Sequence, residues 1–209
     1  MSAAGKVCIG FSKPFVAKYD CTGGAVKFTN GMQLARGVSV SISPEVSDDN
    51  NFYADGILAE SDSGRFTGGI ATLTVDGLHK AAEKFIYGLP EPEEITYGEN
   101  KKVAMTKYGA NTEPPYVGIG VVVWYQSGGV VTYVPTILVK AKFKMNSTEA
   151  QTQENNEKNW QTQDLEAALH RDDSAEANWK YVGEDMPTEA GAVAVIKGLF
   201  AVAEATAEG

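Results

Sequence analysis

The chain has 209 residues, 43% of them apolar and 22% charged, and a formal net charge of −9. That length can bury a sizeable core, and the composition is ordinary for a folded soluble protein. The acidic balance counts against a surface built to grip nucleic acid, because phosphate binding needs clustered Lys and Arg.

The opening stretch, MSAAGKVCIGFSKPF, lacks an apolar core long enough for a signal peptide. Near the other end AGAVAVIKGLFAVAEA is apolar, but it falls short of the roughly 20 residues of a membrane span and Lys197 interrupts it. Cys8 and Cys21 make no CxxC pair. They read as buried free thiols of a reducing cytoplasm. The expectation is a protein soluble and intracellular when made, with no membrane partner.

Strand patterns dominate the first part. FVAKYD, AVKFTN and GVSVSIS are β-rich runs punctuated by Gly23-Gly24 and Asn30-Gly31. In VSVSIS, Val38, Val40 and Ile42 alternate with serines, which predicts a half-buried strand. An acidic excursion follows over residues 44–66, carrying Asp48, Asp49, Asp55 and other acids around the adjacent pair Phe52-Tyr53, with no base before Arg65. It is predicted as a long inter-strand loop. FTGGIATLTV resumes a strand, and DGLHKAAEKFIYGLP predicts a helix over 76–87. Asp76 would be its N-cap, with Gly88 and Pro90 stopping it.

Beyond the turn LPEPEE come KKVAMTKY, YVGIGVVVWYQ and VVTYVPTILVKAKFKM, with a hairpin turn at Ser127-Gly128-Gly129. The last run sorts Ile137, Val139, Ala141 and Phe143 to one face and Leu138, Lys140, Lys142 and Lys144 to the other. The lysine row reads either as a solvated edge-strand face or as a seam paired with an acidic neighbour. In QTQENNEKNWQTQ, Gln151-Thr152-Gln153 and Gln161-Thr162-Gln163 flank a turn-like centre. Helix propensity permits a helix from Glu157 to His170, but Thr-rich alternation favours two extended arms, 149–153 and 160–164, polar on both faces. A final helix is expected from Thr188 as N-cap to about Ala203. The whole predicts a mainly β (α+β) fold. It would be a single domain, a β-sandwich or barrel with a flanking helix and a helical C-terminal extension over 172–209.

Little here signals chemistry. Nucleophilic catalysis needs a base beside a Ser or Cys, and only His79 and His170 are present, with no GxSxG or HExxH around them. Asp48, Asp49 and Asp55 do not follow a calcium-loop spacing, which favours a solvated acidic loop over metal. Gly118 and Gly120 lead into a strand, where a phosphate cradle needs a helix N-terminus. No catalytic residue, metal or cofactor is expected. A carbohydrate-binding sandwich with Trp124, Tyr125 and Tyr133 as stacking platforms is the rival binding reading.

Four stretches in order carry a resemblance: IGFSKPFVAKYDCTGG; GMQLARGVSVSISPEVSDDNNFYADG; GGIATLTVDGLHKAAEKFIYGL; and VPTILVKAKFKMNSTEAQTQENNEKNWQTQDLEAAL. Together they resemble a major tail protein of long, flexible-tailed bacteriophages. The likeness spans nearly the whole chain and is least distinct in the C-terminal part, GEDMPTEAGAVAVIKGLFAVAEATAEG.

The resemblance implies a β-sandwich of the tail tube type. It also implies self-assembly into stacked hexameric rings whose bore conducts genomic DNA without specific binding. Partners would be further copies, a tape measure protein, and tail terminator or tip proteins, with the protein residing in the virion. The 44–66 loop would reach a neighbouring subunit or ring through Phe52, Tyr53, Asp48, Asp49, Asp55 and Arg65. The lysine row and Gln151, Gln153, Gln161 and Gln163 would sit at strand edges or seams. A tail completion or tail-tip ring protein of the same fold is the second reading.

Overall fold

The structure, a computed structural model, describes residues 5–145 and 160–203. Its main sheet is antiparallel throughout. In chain order its strands are β1 (Val7–Thr22), β2 (Ala25–Gln33), β3 (Gly37–Val46) and β6 (Phe66–Val75), then β9 (Tyr116–Ser127), β10 (Val130–Phe143), β11 (Gln163–His170) and β12 (Lys180–Val182). Between β3 and β6 the chain makes β4 (Asn50–Ala54) and β5 (Ile57–Asp62). Between β6 and β9 it makes α1 (Lys80–Tyr87), β7 (Glu93–Tyr97) and β8 (Lys101–Met105), and it ends in α2 (Glu189–Leu199). The strand order is β2-β1-β9-β10-β11-β6-β3. β10 divides its second edge between β12 at Thr136–Leu138 and β11 at Lys140–Phe143.

Alternation builds the inner face. On β6, Ala71, Leu73 and Val75 are buried while Thr72 and Thr74 are not. On β11, Leu165 stands opposite Leu73 and Ala167 opposite Ala71. The sheet curls until β3 comes near β1, and a Cβ on Gly37 would lie 2.4 Å from the Phe11 ring. Inside the curl Val16, Leu34, Leu73, Ile119, Phe143 and Leu165 form the main core, which α1 joins through Ala82, Ile86 and Tyr87.

The outer face is covered by α2. Ala192, Val193, Ile196 and Phe200 pack on Phe15, Ala17, Val122 and Ile137. Burying a side chain such as Ile196 or Phe200 contributes about 1.5–3 kcal/mol. Close approach requires glycines beneath: a Cβ on Gly120 would sit 2.6 Å from Ile196 Cγ2, and one on Gly118 2.5 Å from the Phe28 ring. The GIG stretch is thus the floor under a helix. At the helix start Thr188 accepts the Gly191 amide at 3.2 Å, and at its end the Phe200 carbonyl accepts the Gly31 amide at 3.0 Å. The expected N-cap is in place, but the helix stops at Leu199; in this C-terminal stretch Asp172, Ala192, Val193, Ile196 and Phe200 are buried.

Other expectations need correction. α1 starts at Lys80, with His79 as its N-cap: Nδ1 accepts the Ala82 amide at 3.1 Å. Asp76 instead binds Arg36. Gly88, at φ 65°, ends the helix as predicted. On β10 a bulge between Leu138 and Ala141 switches the faces. Leu138 therefore shares the main core with Ala141 and Phe143, while Ile137 lies under α2. Val40 and Ile42 pack inward, but Val38 falls in the irregularity between Gly37 and Ser39 and is exposed. Both cysteines are free thiols, yet Cys8 is exposed and Cys21 only half-buried.

Of the expected arm 160–164 only Gln163 and Asp164 lie in a strand, the start of β11, whose apolar face begins beyond them with Leu165, Ala167 and Leu169 buried. Residues 149–153, with Gln151 and Gln153, lie outside the described residues. The Gly128-Gly129 turn has φ of 56° and 83° and joins β9 to β10 as expected.

Candidate assembly surfaces

The acidic stretch is not a loop but a hairpin. Asp55 and Gly56 form its two-residue turn, with φ of 53° and 76°. Both values are positive, as a turn matched to strand twist requires, and Asp-Gly is a favoured pair there. Its base is pinned: the Ser47 amide donates to the Arg65 carbonyl at 2.9 Å, and Ser47 Oγ accepts the Arg65 amide at 3.0 Å. Asp49 Oδ1 accepts the Gly64 amide at 2.8 Å, and Asp62 lies 3.8 Å from Arg65. Asp48, Asp49 and Asp55 do not converge, and no group of three potential metal-ligating side chains does so among the described residues.

All of β4 and β5 is exposed, with Phe52 at 62% and Tyr53 at 61%. Register sorts the two aromatics to opposite faces. Phe52 stands opposite Glu60 and Ala54 opposite Ile57; a shift then places Tyr53 opposite Leu58. One face therefore carries Phe52 and Ile57 beside Glu60, and the other Tyr53 and Leu58.

A second hairpin joins the KKVAM strand expected from the sequence to EEITY, which is not expected as a strand. β7 and β8 are also wholly exposed. Ile95 pairs with Val103, Glu93 with Met105 and Tyr97 with Lys101, so Ile95, Tyr97, Val103 and Met105 share one face. The opposite face is polar, holding Thr96 and a Lys102–Glu94 ion pair at 2.8 Å. The alternation in EEITY and KKVAM is the signal that finds it. A two-stranded hairpin is marginal in water by itself. The apolar face of this one, Ile95, Tyr97, Val103 and Met105, is uncovered in the single chain.

The three lysines are not on an edge, since β10 lies between β9 and its partners β11 and β12. Each finds an acid in its own chain. Lys140 reaches Asp173 at 2.7 Å, Lys142 reaches Glu113 at 2.7 Å, and Lys144 pairs with Glu166. Lys140 is the most enclosed, lying 4.6 Å from the Tyr116 ring centre and 5.3 Å from that of Tyr19. The Asp173 amide donates to the Tyr19 hydroxyl at 2.9 Å, tying the same cluster together.

The Lys140 ammonium holds the Asp173 carboxyl below its ordinary range, and Lys142 does the same for Glu113. Burial, followed by repulsion from Lys140 and Lys142, lowers the pKa of His170, whose ring meets Tyr116 edge-on at 5.5 Å. Gln163 Oε1 accepts the Leu78 amide at 3.3 Å, joining β11 to the entry of α1, while Gln161 is exposed.

Trp124 and Tyr133 pack edge-on at 5.6 Å beside α2, with Trp124 Nε1 donating to Ser12 Oγ. That arrangement commits the two rings to packing rather than to an open platform. No helix among the described residues is long and apolar enough to cross a membrane.

No protein-family model matches the chain, and no curated protein matches it.

Proposed function

We propose that this chain is the tail tube subunit of a bacteriophage with a long, non-contractile tail, self-assembling into stacked hexameric rings around a DNA conduit. The carrying observation is the pair of projecting hairpins, whose Phe52, Tyr53, Ile57, Ile95, Tyr97 and Val103 are all exposed in the single chain. A subunit that completes its burial only beside other copies leaves such surfaces open when alone.

Free strand edges support the same reading. Among the described residues β2 pairs as a strand only with β1, its Gly31 amide being taken by the Phe200 carbonyl, and β3 pairs only with β6. A monomer must protect such edges, whereas a ring can close through them. The charge of −9 suits a bore through which DNA slides. Acidic walls repel phosphates over about 8–10 Å at physiological salt. Partners would include the tape measure protein and the tail terminator and tip proteins.

The test is copy number in purified virions by quantitative mass spectrometry. A tube subunit is among the most abundant virion proteins. A few copies per particle would assign the chain to a tail completion or tip ring instead, and absence from particles would end the reading.

A further inference from the structure

We infer that the two hairpins are the two halves of one heterologous contact: the Phe52–Ile57–Glu60 face of β4–β5 in one copy docks on the Ile95–Val103 face of β7–β8 in a second copy. This rests on the self-assembly proposed above and names the surfaces that carry it.

Size and shape argue first. Each hairpin offers a short two-stranded face with large apolar side chains, and each is wholly exposed. The two stand on separate excursions from the main sheet, one after β3 and one after α1. A contact between two different patches of identical chains runs head to tail, and so propagates into rings or filaments.

Charge argues second, against a contact of β4–β5 with itself. The β4–β5 stretch, residues 44–66, carries Glu45, Asp48, Asp49, Asp55, Glu60 and Asp62 against the single base Arg65. Two copies of it face to face would repel. The β7–β8 stretch, residues 91–107, is closer to balance, with Glu91, Glu93, Glu94 and Glu99 against Lys101, Lys102 and Lys107. Its apolar face carries Glu93, paired with Lys107, at one end and Lys101 beside Tyr97 at the other, and Lys101 has no ion pair among the described residues. Glu60 is likewise unpaired there and stands beside Phe52. Apolar burial would supply most of the affinity, and the Glu60–Lys101 attraction would select partner and register.

Charge exchange tests this in the full chain, with assembly read by sedimentation velocity and negative-stain microscopy and folding by circular dichroism. Glu60→Lys and Lys101→Glu alone should each raise the concentration needed for assembly about tenfold or more, and the double variant should restore it to within about threefold. Val103→Asp should fold normally and fail to assemble.

A second measurement uses cysteine pairs in a Cys8→Ser, Cys21→Ser background. Phe52→Cys with Val103→Cys should yield an oxidative ladder. Normal assembly by Val103→Asp, or a double reversal no better than the singles, overturns the contact while leaving tube formation intact. Efficient cross-linking by Val103→Cys alone also overturns it, because that is a like-with-like contact. A wild-type chain that assembles under no condition removes the contact together with the function it rests on.

Discussion

Asp76 holds Arg36 twice: Oδ1 accepts the Arg36 amide at 3.0 Å and Oδ2 the guanidinium Nε at 2.5 Å. The carboxylate is therefore engaged in joining the end of β6 to the approach of β3, and the helix three residues later takes its cap from His79. Its Nδ1 accepts the Ala82 amide at 3.1 Å, and its Nε2 lies 3.4 Å from the Gln33 carbonyl. His79→Ala should cost about 1 kcal/mol, as loss of an N-cap does. Asp76→Asn keeps an oxygen acceptor and gives up an exposed ion pair, for about 0–1 kcal/mol. Urea unfolding of the two variants, read by the fall in helical circular dichroism, decides which residue starts α1.

Gly120→Ala probes the seat of α2. The added methyl would meet Ile196 Cγ2 at 2.6 Å and the Phe200 ring at 3.1 Å. Overpacking of this kind costs about 1–3 kcal/mol. The variant should melt earlier, and a wild-type melting temperature would mean that α2 is loosely held.

Stability should fall on the acid side in two steps. His170 has a folded pKa below its ordinary 6.5, through burial and then Lys140 and Lys142. The unfolded chain takes up that proton first, so stability is full above pH 6.5 and declines as the pH drops below it. Asp173 and Glu113 have depressed folded values. Their contribution is present above the ordinary 3.8 and 4.5 and is lost as the pH falls through the folded values. Urea midpoints against pH should show both limbs, and His170→Gln should flatten the upper one alone.

The aromatic pair separates folding from assembly. Phe52 and Tyr53 are exposed and take no part in either core cluster. Replacing both by Ala should move stability by no more than about 0.5 kcal/mol. Assembly should weaken roughly 30-fold or more, the cost of losing one interfacial hot spot of about 2 kcal/mol. A folding defect would place those rings in the subunit's own core.

What the sequence conveyed was local. Thr188 announced α2 and Gly128-Gly129 announced a hairpin, because caps and turns are written in adjacent residues. Asp55-Gly56 carried the same kind of signal, but the surrounding acids pointed to a solvated loop. His79 is a weak cap by residue type, and Asp76, a stronger one, stands close by. Long-range pairing was not legible at all. Nothing in QDLEAALH says that it inserts between β10 and β6, and nothing in ILVKAKF reveals the bulge that turns Leu138 inward. The lysine row alternated as expected, yet its meaning depended on Asp173, Glu113 and Glu166, which the fold delivers from three separate places.

Self-assembly through uncovered apolar surface is the claim on which the rest depends, and negative-stain microscopy of concentrated purified protein at low and raised salt tests it most directly. Chains of net charge −9 repel one another, and salt screens that repulsion while leaving apolar contacts in force. The account predicts rings and hollow tubes that become more numerous as salt is added. Monodisperse single chains at every concentration and ionic strength would contradict it, as would rings that dissolve when salt is raised.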